Sequence, residues 1–283
     1  MEPEELANEA RRLADEAGRL GKALERAGKA LEALGDSEAW KDPGIRRKAW
    51  KAIEACGGEG AEKLLAFAEE ARASVRDLEP GWRRALLDEL HEAFLETGIE
   101  LRKSGERPPV FEAGILSLTL EFEKGVAEIA YGREKVARVP LRPRSLPGAV
   151  GEANAFLARG WPGAETLFRA LRASWGAALG RRGGDPSGRV ELGDLPAELE
   201  LSLRLLGAWP KGWESGALDR ARFAYWLDRL AMEGRLAFEG WRLELGTATG
   251  GSARDRKRVL FLRAGMGGGQ YYLSLRFVRE GEV

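Results

Sequence analysis

Apolar positions in the first hundred residues recur with a helical period. Leu6, Leu13, Leu20, Ala27 and Leu34 stand seven residues apart, and Ala10, Ala17, Leu24 and Leu31 fill the second apolar position of each heptad. This spacing predicts a helix with a narrow seam flanked by Glu, Arg and Lys. Gly35-Asp36 ends it. Ser37 is a candidate cap for a second helix carrying Trp40, Trp50 and Ile53, interrupted near Asp42-Pro43-Gly44. After Gly57-Gly58 a third helix carries Leu64, Leu65, Phe67 and Val75. Pro80 is expected to open a fourth, with Trp82, Leu86, Leu87, Leu90, Phe94 and Leu95. Two uses of the seam stand side by side. It is buried inside a helical hairpin or bundle, or it is a coiled-coil arm that recruits a partner or a second copy through Leu6, Leu13, Leu20, Leu24, Leu31 and Leu34.

Gly105-Glu106-Arg107-Pro108-Pro109 reads as a linker, and beyond it the period changes to two. Ile115, Leu116, Leu118, Leu120 and Phe122 predict one strand. Val126, Ile129 and Tyr131 predict a second after Lys124-Gly125, and Val136, Ala137 and Val139 a third after Gly132-Arg133. The alternation of Leu118 to Glu123 leaves one face of this three-stranded antiparallel meander wet. Pro140, Pro143 and Pro147 mark a second connection. Helices near 148–158 and 162–179 follow, then a loop from Gly180 to Gly188 that carries Arg181 and Arg182 as a secondary basic site.

The expected class is α+β in three parts: a helical coiled coil or bundle over 1–104, the meander over 105–147, and a third domain over 148–283. Composition changes this picture little. The 283 residues hold 45 basic and 45 acidic side chains, so no global charge points to nucleic acid or to a membrane surface. The distribution is uneven, since residues 1–104 hold 18 Lys and Arg against 23 Asp and Glu, and residues 181–283 hold 17 against 14. The single Cys56 has no disulfide partner within the chain, and no signal-like start is evident, which suggests a cytoplasmic protein. No apolar run approaches the roughly 20 residues of a membrane span. One Gln, two Asn and one Cys beside abundant Arg and Glu fit a thermophile.

The last third carries the one pattern that points to a biochemical class. A helix over 162–179 is followed by a short strand, Arg189 to Leu192, and by a helix from Asp194 or Pro196 to Leu206-Gly207. Ser215 is a candidate cap for a helix over about 216–233 that Gly234 ends. Strands over 235–245 and 258–263 flank a Gly-, Thr- and Arg-rich loop, and Tyr271 to Val278 adds a further strand. This order, with the junction Leu227-Asp228-Arg229-Leu230-Ala231-Met232-Glu233-Gly234-Arg235-Leu236, resembles the winged helix-turn-helix superfamily over about a third of the chain. The resemblance implies a third helix in the major groove and a wing on the flanking backbone. At 100° per residue, Phe223, Trp226, Leu227 and Leu230 form that helix's buried stripe, and Arg222, Tyr225 and Arg229 its open face. Arg254, Arg256, Lys257 and Arg258 form a basic wing loop offset only by Asp255.

The expected function is a non-enzymatic DNA-binding accessory or regulatory protein. Double-stranded DNA meets the winged helix, and residues 1–104 serve dimerisation or a protein partner. The alternative is a structural or adaptor subunit, as in kleisin-type assemblies, with no DNA contact. Catalytic chemistry is not evident. His91 has no second histidine for a zinc site, and a nucleophile would need Cys56 and His91 to meet. Gly265 to Gly269 precedes a strand, without the helix N-terminus that cradles phosphate. Glu121 and Glu123 share one strand face while Lys124 lies on the other, against a nuclease centre. No cofactor and no metal is expected.

Overall fold

In the computed structural model, residues 19, 21–34, 38–56, 62–182, 188–214, 216–250, 255, 258–263 and 269–281 are described. The chain is α+β, with helices beside two antiparallel sheets. It divides into two compact units. The first holds residues 1–98, 120–127 and 140–146, and the second holds 99–119, 128–139 and 147–283.

In the first unit, helix α1 covers residues 21–33, α2 Pro43–Glu54 and α3 Glu62–Glu96. Asp42 caps α2, its Oδ1 accepting from the amides of Gly44 at 2.7 Å and Ile45 at 3.1 Å, and Pro43 supplies the fixed φ of the first turn. The expected cap, Ser37, lies outside the described residues. The expectation that Pro80 opens a new helix is overturned, because α3 runs through it. Proline removes one ladder hydrogen bond but does not end a long helix whose other turns hold. The described part of the heptad seam is buried in part within the unit. Ala27 packs with Ile53, Cys56 and Ala68, and Ala23, Leu31 and Trp50 lie against them. Leu34 is buried, whereas Leu24 is 42% exposed. Leu6, Leu13 and Leu20 lie outside the described residues.

The first sheet has five strands in sequence order: β1 Leu101–Glu106, β2 Pro109–Ala113, β3 Leu116–Glu121, β4 Val126–Tyr131 and β5 Glu134–Pro140. The stretch expected to be a linker is the tip of the β1–β2 hairpin, with Glu106 opposite Pro109. Its Gly and Pro residues mark a turn as readily as a linker. Strand alternation also stops earlier than expected, since Phe122–Lys124 is a 3-10 turn in which Lys124 reaches Glu121 at 2.7 Å.

The second unit adds α4 Leu146–Ala158, α5 Ala164–Arg182, α6 Leu195–Leu205 and α7 Arg220–Met232. Its other strands are β6 Val190–Glu191, β7 Ala237–Phe238, β8 Trp241–Thr247, β9 Leu260–Leu262 and β10 Gln270–Arg279. Asp219 caps α7 by accepting from the Arg222 amide at 2.9 Å. The sheet order is β6-β10-β8-β7, and β9 also pairs with β10. The C-terminal strand expected as an addition is therefore central. It pairs with β8 from Tyr272 to Arg279, and with β9 over Gln270 to Tyr272. The expected strand 235–245 is broken by a two-residue turn, with Glu239 at φ 52° and Gly240 at φ 72°, the left-handed pair that closes a tight hairpin.

One face of this sheet is dry. Leu243, Leu275 and Phe277 are buried, and Phe277 meets Phe168 and Trp175 of α5 at ring-centroid distances of 5.2 and 5.6 Å. The loop between α6 and α7 belongs to the core as well. Trp213 stacks on Trp226 at 6.3 Å, and Gly160, at φ +78°, lies so close to this loop that a Cβ there would stand 2.7 Å from Pro210 and Trp213. Gly160→Ala is expected to cost about 2–4 kcal/mol, from left-handed strain together with overpacking. Denaturant unfolding of the full chain checks this, and an unchanged midpoint contradicts it.

Candidate nucleic-acid interface

Helix α7 is not an open helix face. Ala221 to Ala224, Trp226 to Asp228 and Leu230 are all buried. Arg222 is 7% exposed and lies between two rings, its guanidinium carbon 3.7 Å from the Phe156 centroid and 4.4 Å from that of Trp213. Its donors are engaged by backbone carbonyls, Nε on Phe156 at 3.1 Å and Nη1 on Ala217 at 2.5 Å. Burial pulls this guanidinium below its usual pKa, against the raising effect of Asp219. Tyr225 is half-buried and meets Tyr131 edge-on at 5.5 Å. Arg229 pairs with Glu233 at 2.8 Å and lies over Trp161 at 4.5 Å. Of the three residues expected to face DNA, Arg222 is thus buried, Tyr225 is half-buried and Arg229 keeps 37% side-chain exposure.

A buried polar junction holds this cover in place. The Tyr131 hydroxyl donates to Asp228 Oδ2 at 2.7 Å, and the Arg263 amide donates to the same oxygen at 2.7 Å. The Arg263 guanidinium reaches the carbonyl of Ile115, and it stands 3.5 Å from Glu112. Nearby, Arg220 pairs with Glu134 at 2.8 Å and donates to the Val259 carbonyl at 2.6 Å. The burial of Asp228 goes with contacts from Tyr131, 97 residues away, and from the Arg263 amide.

The outer face of the second sheet gathers several partly exposed guanidinium groups. Arg276 on β10 donates Nε to Glu244 on β8 at 2.9 Å, Arg242 reaches the same carboxylate at 3.0 Å, and Arg189, just before β6, stands 3.8 Å from it. Register explains the convergence, because Arg276 is directly opposite Glu244 and Val278 opposite Arg242. Arg189 extends over Gly246, where a Cβ would come within 2.8 Å of its Nη1 and 2.6 Å of Ser274 Oγ. Beside this row Arg258 pairs with Glu191, Nε to Oε2 at 2.9 Å. Four arginines thus meet two glutamates. The arginine side chains are 37–55% exposed and the glutamates 25–28%. The Arg276 hydrogen bond holds the Glu244 carboxyl below its ordinary pKa, so the cluster keeps its charge pattern at neutral pH.

Of the expected basic loop, Arg258 belongs to this face, whereas Arg254, Arg256 and Lys257 lie outside the described residues. Arg181 pairs with Glu198 at 2.6 Å, and the Arg182 side chain lies outside the described residues. Arg189, Arg242 and Arg276 were missed. Single arginines on strands carry no motif, although alternation put Arg242 with Glu244 and Arg276 with Val278 on shared faces. Cys56 is fully buried and His91 exposed on α3. Among the described residues no group of three His, Cys, Asp or Glu is placed to hold a metal ion, and no helix is long and apolar enough to cross a membrane. No family model, curated protein or solved structure matches the chain.

The junction has a pH signature. Burial first, and then the Asp228 charge, raise the Tyr131 hydroxyl above its ordinary value. A raised folded-state pKa means that this stability is present below the ordinary tyrosine value of about 10 and is lost as pH rises past it. Tyr131→Phe is expected to lower stability at pH 7 by about 1–3 kcal/mol, because Asp228 loses a donor in a dry site. It should also flatten the alkaline limb of the melting curve. An alkaline limb identical to that of the parent chain contradicts the assignment.

Proposed function

We propose that residues 164–279 form a winged-helix module that binds the phosphate backbone of duplex DNA through the outer face of its sheet. The observation that carries the reading is the exposed row of Arg189, Arg242, Arg258 and Arg276 over two shielded glutamates. The element order supports the module: helix, short strand, two helices, then β8 and β10 with β6 on the far edge of β10. The segment from β8 to β9 adds Arg254, Arg256 and Lys257 in sequence. Guanidinium forks suit phosphate oxygens, and such contacts position a protein on DNA without reading its sequence. Helix α7 is given no role in base readout, since Arg222 is locked to two carbonyls. The protein acts as an accessory or regulatory factor of low sequence preference.

The adaptor reading has one observation in its favour. Leu201, Leu205 and Leu206 of the α6 region are 53%, 80% and 49% exposed. Exposed apolar side chains of this kind suit a protein surface better than a phosphate.

Fluorescence anisotropy with a labelled duplex separates the two. Affinity is expected to fall steeply with salt, and Arg189→Ala/Arg242→Ala/Arg276→Ala to reduce the salt slope by roughly 3, about 1 per lost phosphate contact. Glu244→Gln is expected to tighten binding by removing the carboxylate beneath the cluster. No binding at low salt, or a triple variant that binds as the parent chain does, overturns the proposal.

A further inference from the structure

Within the first unit a groove of about 530 Å³ is enclosed by α2, α3, the turn at Phe122 to Gly125 and the segment from Pro140 to Pro143. Its walls are built by local contacts. Arg47 donates to the carbonyls of Glu123 at 3.0 Å and Lys124 at 3.3 Å, and the Leu141 amide donates to the Gly125 carbonyl at 3.0 Å. The volume lies within the range of small-molecule sites, roughly 300–1,000 Å³.

The charges in this groove do not balance locally. Glu79 Oε1 is shared by two guanidinium groups, Arg46 Nη2 at 3.0 Å and Arg83 Nη2 at 3.4 Å. The other acidic groups on the rim are engaged elsewhere, Asp42 by the α2 amides and Glu89 by Arg144 at 3.2 Å. Arg83 Nε is buried with no hydrogen-bond partner among the described residues. Arg142 also lines the groove, and its side chain has no hydrogen bond or ion pair among those residues. A buried guanidinium N–H with no acceptor is costly, and an arriving anion relieves it. The apolar part of the lining includes Trp82, Leu86 and Pro143. Arg46 lies over Trp82 at 5.3 Å and Arg83 over Phe122 at 5.2 Å, so the rings hold both cations along the wall.

We propose that this groove binds a small organic anion, its carboxylate or phosphate on Arg83 and Arg142 and its apolar body against Trp82, Leu86 and Pro143. The site is separate from the arginine face of the second sheet and does not depend on it.

Ligand-observed NMR and calorimetry on the full chain test the proposal with three probes: phenyl phosphate, phenylacetate and the neutral 2-phenylethanol. At least one anion is expected to saturate the protein, with the neutral probe weaker by about tenfold or more. Which anion binds tighter distinguishes a phosphate from a carboxylate ligand. Arg142→Gln is expected to weaken the bound anion about three- to tenfold, the loss of one charge-assisted contact. Arg142 is exposed and unpaired, so this variant keeps the fold, and it decides the matter if Arg83→Gln does not fold. Arg102→Ala, on β1, should leave binding unchanged. Failure of both anions to bind, equal binding of the neutral probe, or an Arg142→Gln variant with parental affinity overturns the proposal.

Discussion

The carboxyl group of Asp228 is the constraint on which the second unit depends. It lies 2% exposed in the middle of α7 and accepts from the Tyr131 hydroxyl and the Arg263 amide on one oxygen. An unpartnered carboxyl in such a place costs several kcal/mol, so α7, β4 and the end of β9 must arrive together or not at all. The Arg220 contacts with Glu134 and the Val259 carbonyl repeat the linkage about two turns earlier on α7. Once these contacts form, Arg222 of α7 is closed off from solvent, while Arg229 keeps 37% of its side-chain exposure.

Two kinds of arginine stand apart among the described residues by what surrounds them. Arg222 has rings on both sides and carbonyls on its donors, and it acts as a packing element. Arg189, Arg242, Arg258 and Arg276 pair with glutamates less exposed than they are, and their guanidinium groups reach solvent. Surface pairs of this sort add little stability, about 0–1 kcal/mol each, so the cluster is a weak explanation of the fold. A carboxylate beneath the arginines also keeps them ordered without removing their net charge.

Much of the architecture was legible in the sequence. The period of two over Leu116 to Tyr131 and the helical periods around α5 and α7 correspond to observed elements. The misreadings share one cause, which is that local signals are silent about tertiary partners. Pro80 looks like a helix start but lies inside α3, and Gly105 to Pro109 looks like a linker but turns a hairpin. The strand at Tyr271 to Val278 reads as an addition because β6 and β8, between which it lies, are distant in sequence. The site was less legible than the fold. Helical geometry gave Arg222, Tyr225 and Arg229 a common face, yet whether a face is open depends on what packs there, and Phe156, Trp161 and Tyr131 come from α4, the loop after it and β4.

The central claim is that the sheet face, and not α7, meets nucleic acid. Arginine-directed modification with phenylglyoxal, read by mass spectrometry with and without a bound duplex, tests it most directly. Arg229 is 37% exposed and so reports on α7 in the same experiment. The account predicts that DNA protects Arg189, Arg242, Arg258 and Arg276 while the reactivity of Arg229 stays as it was. Protection of Arg229 with no change at those four would contradict it.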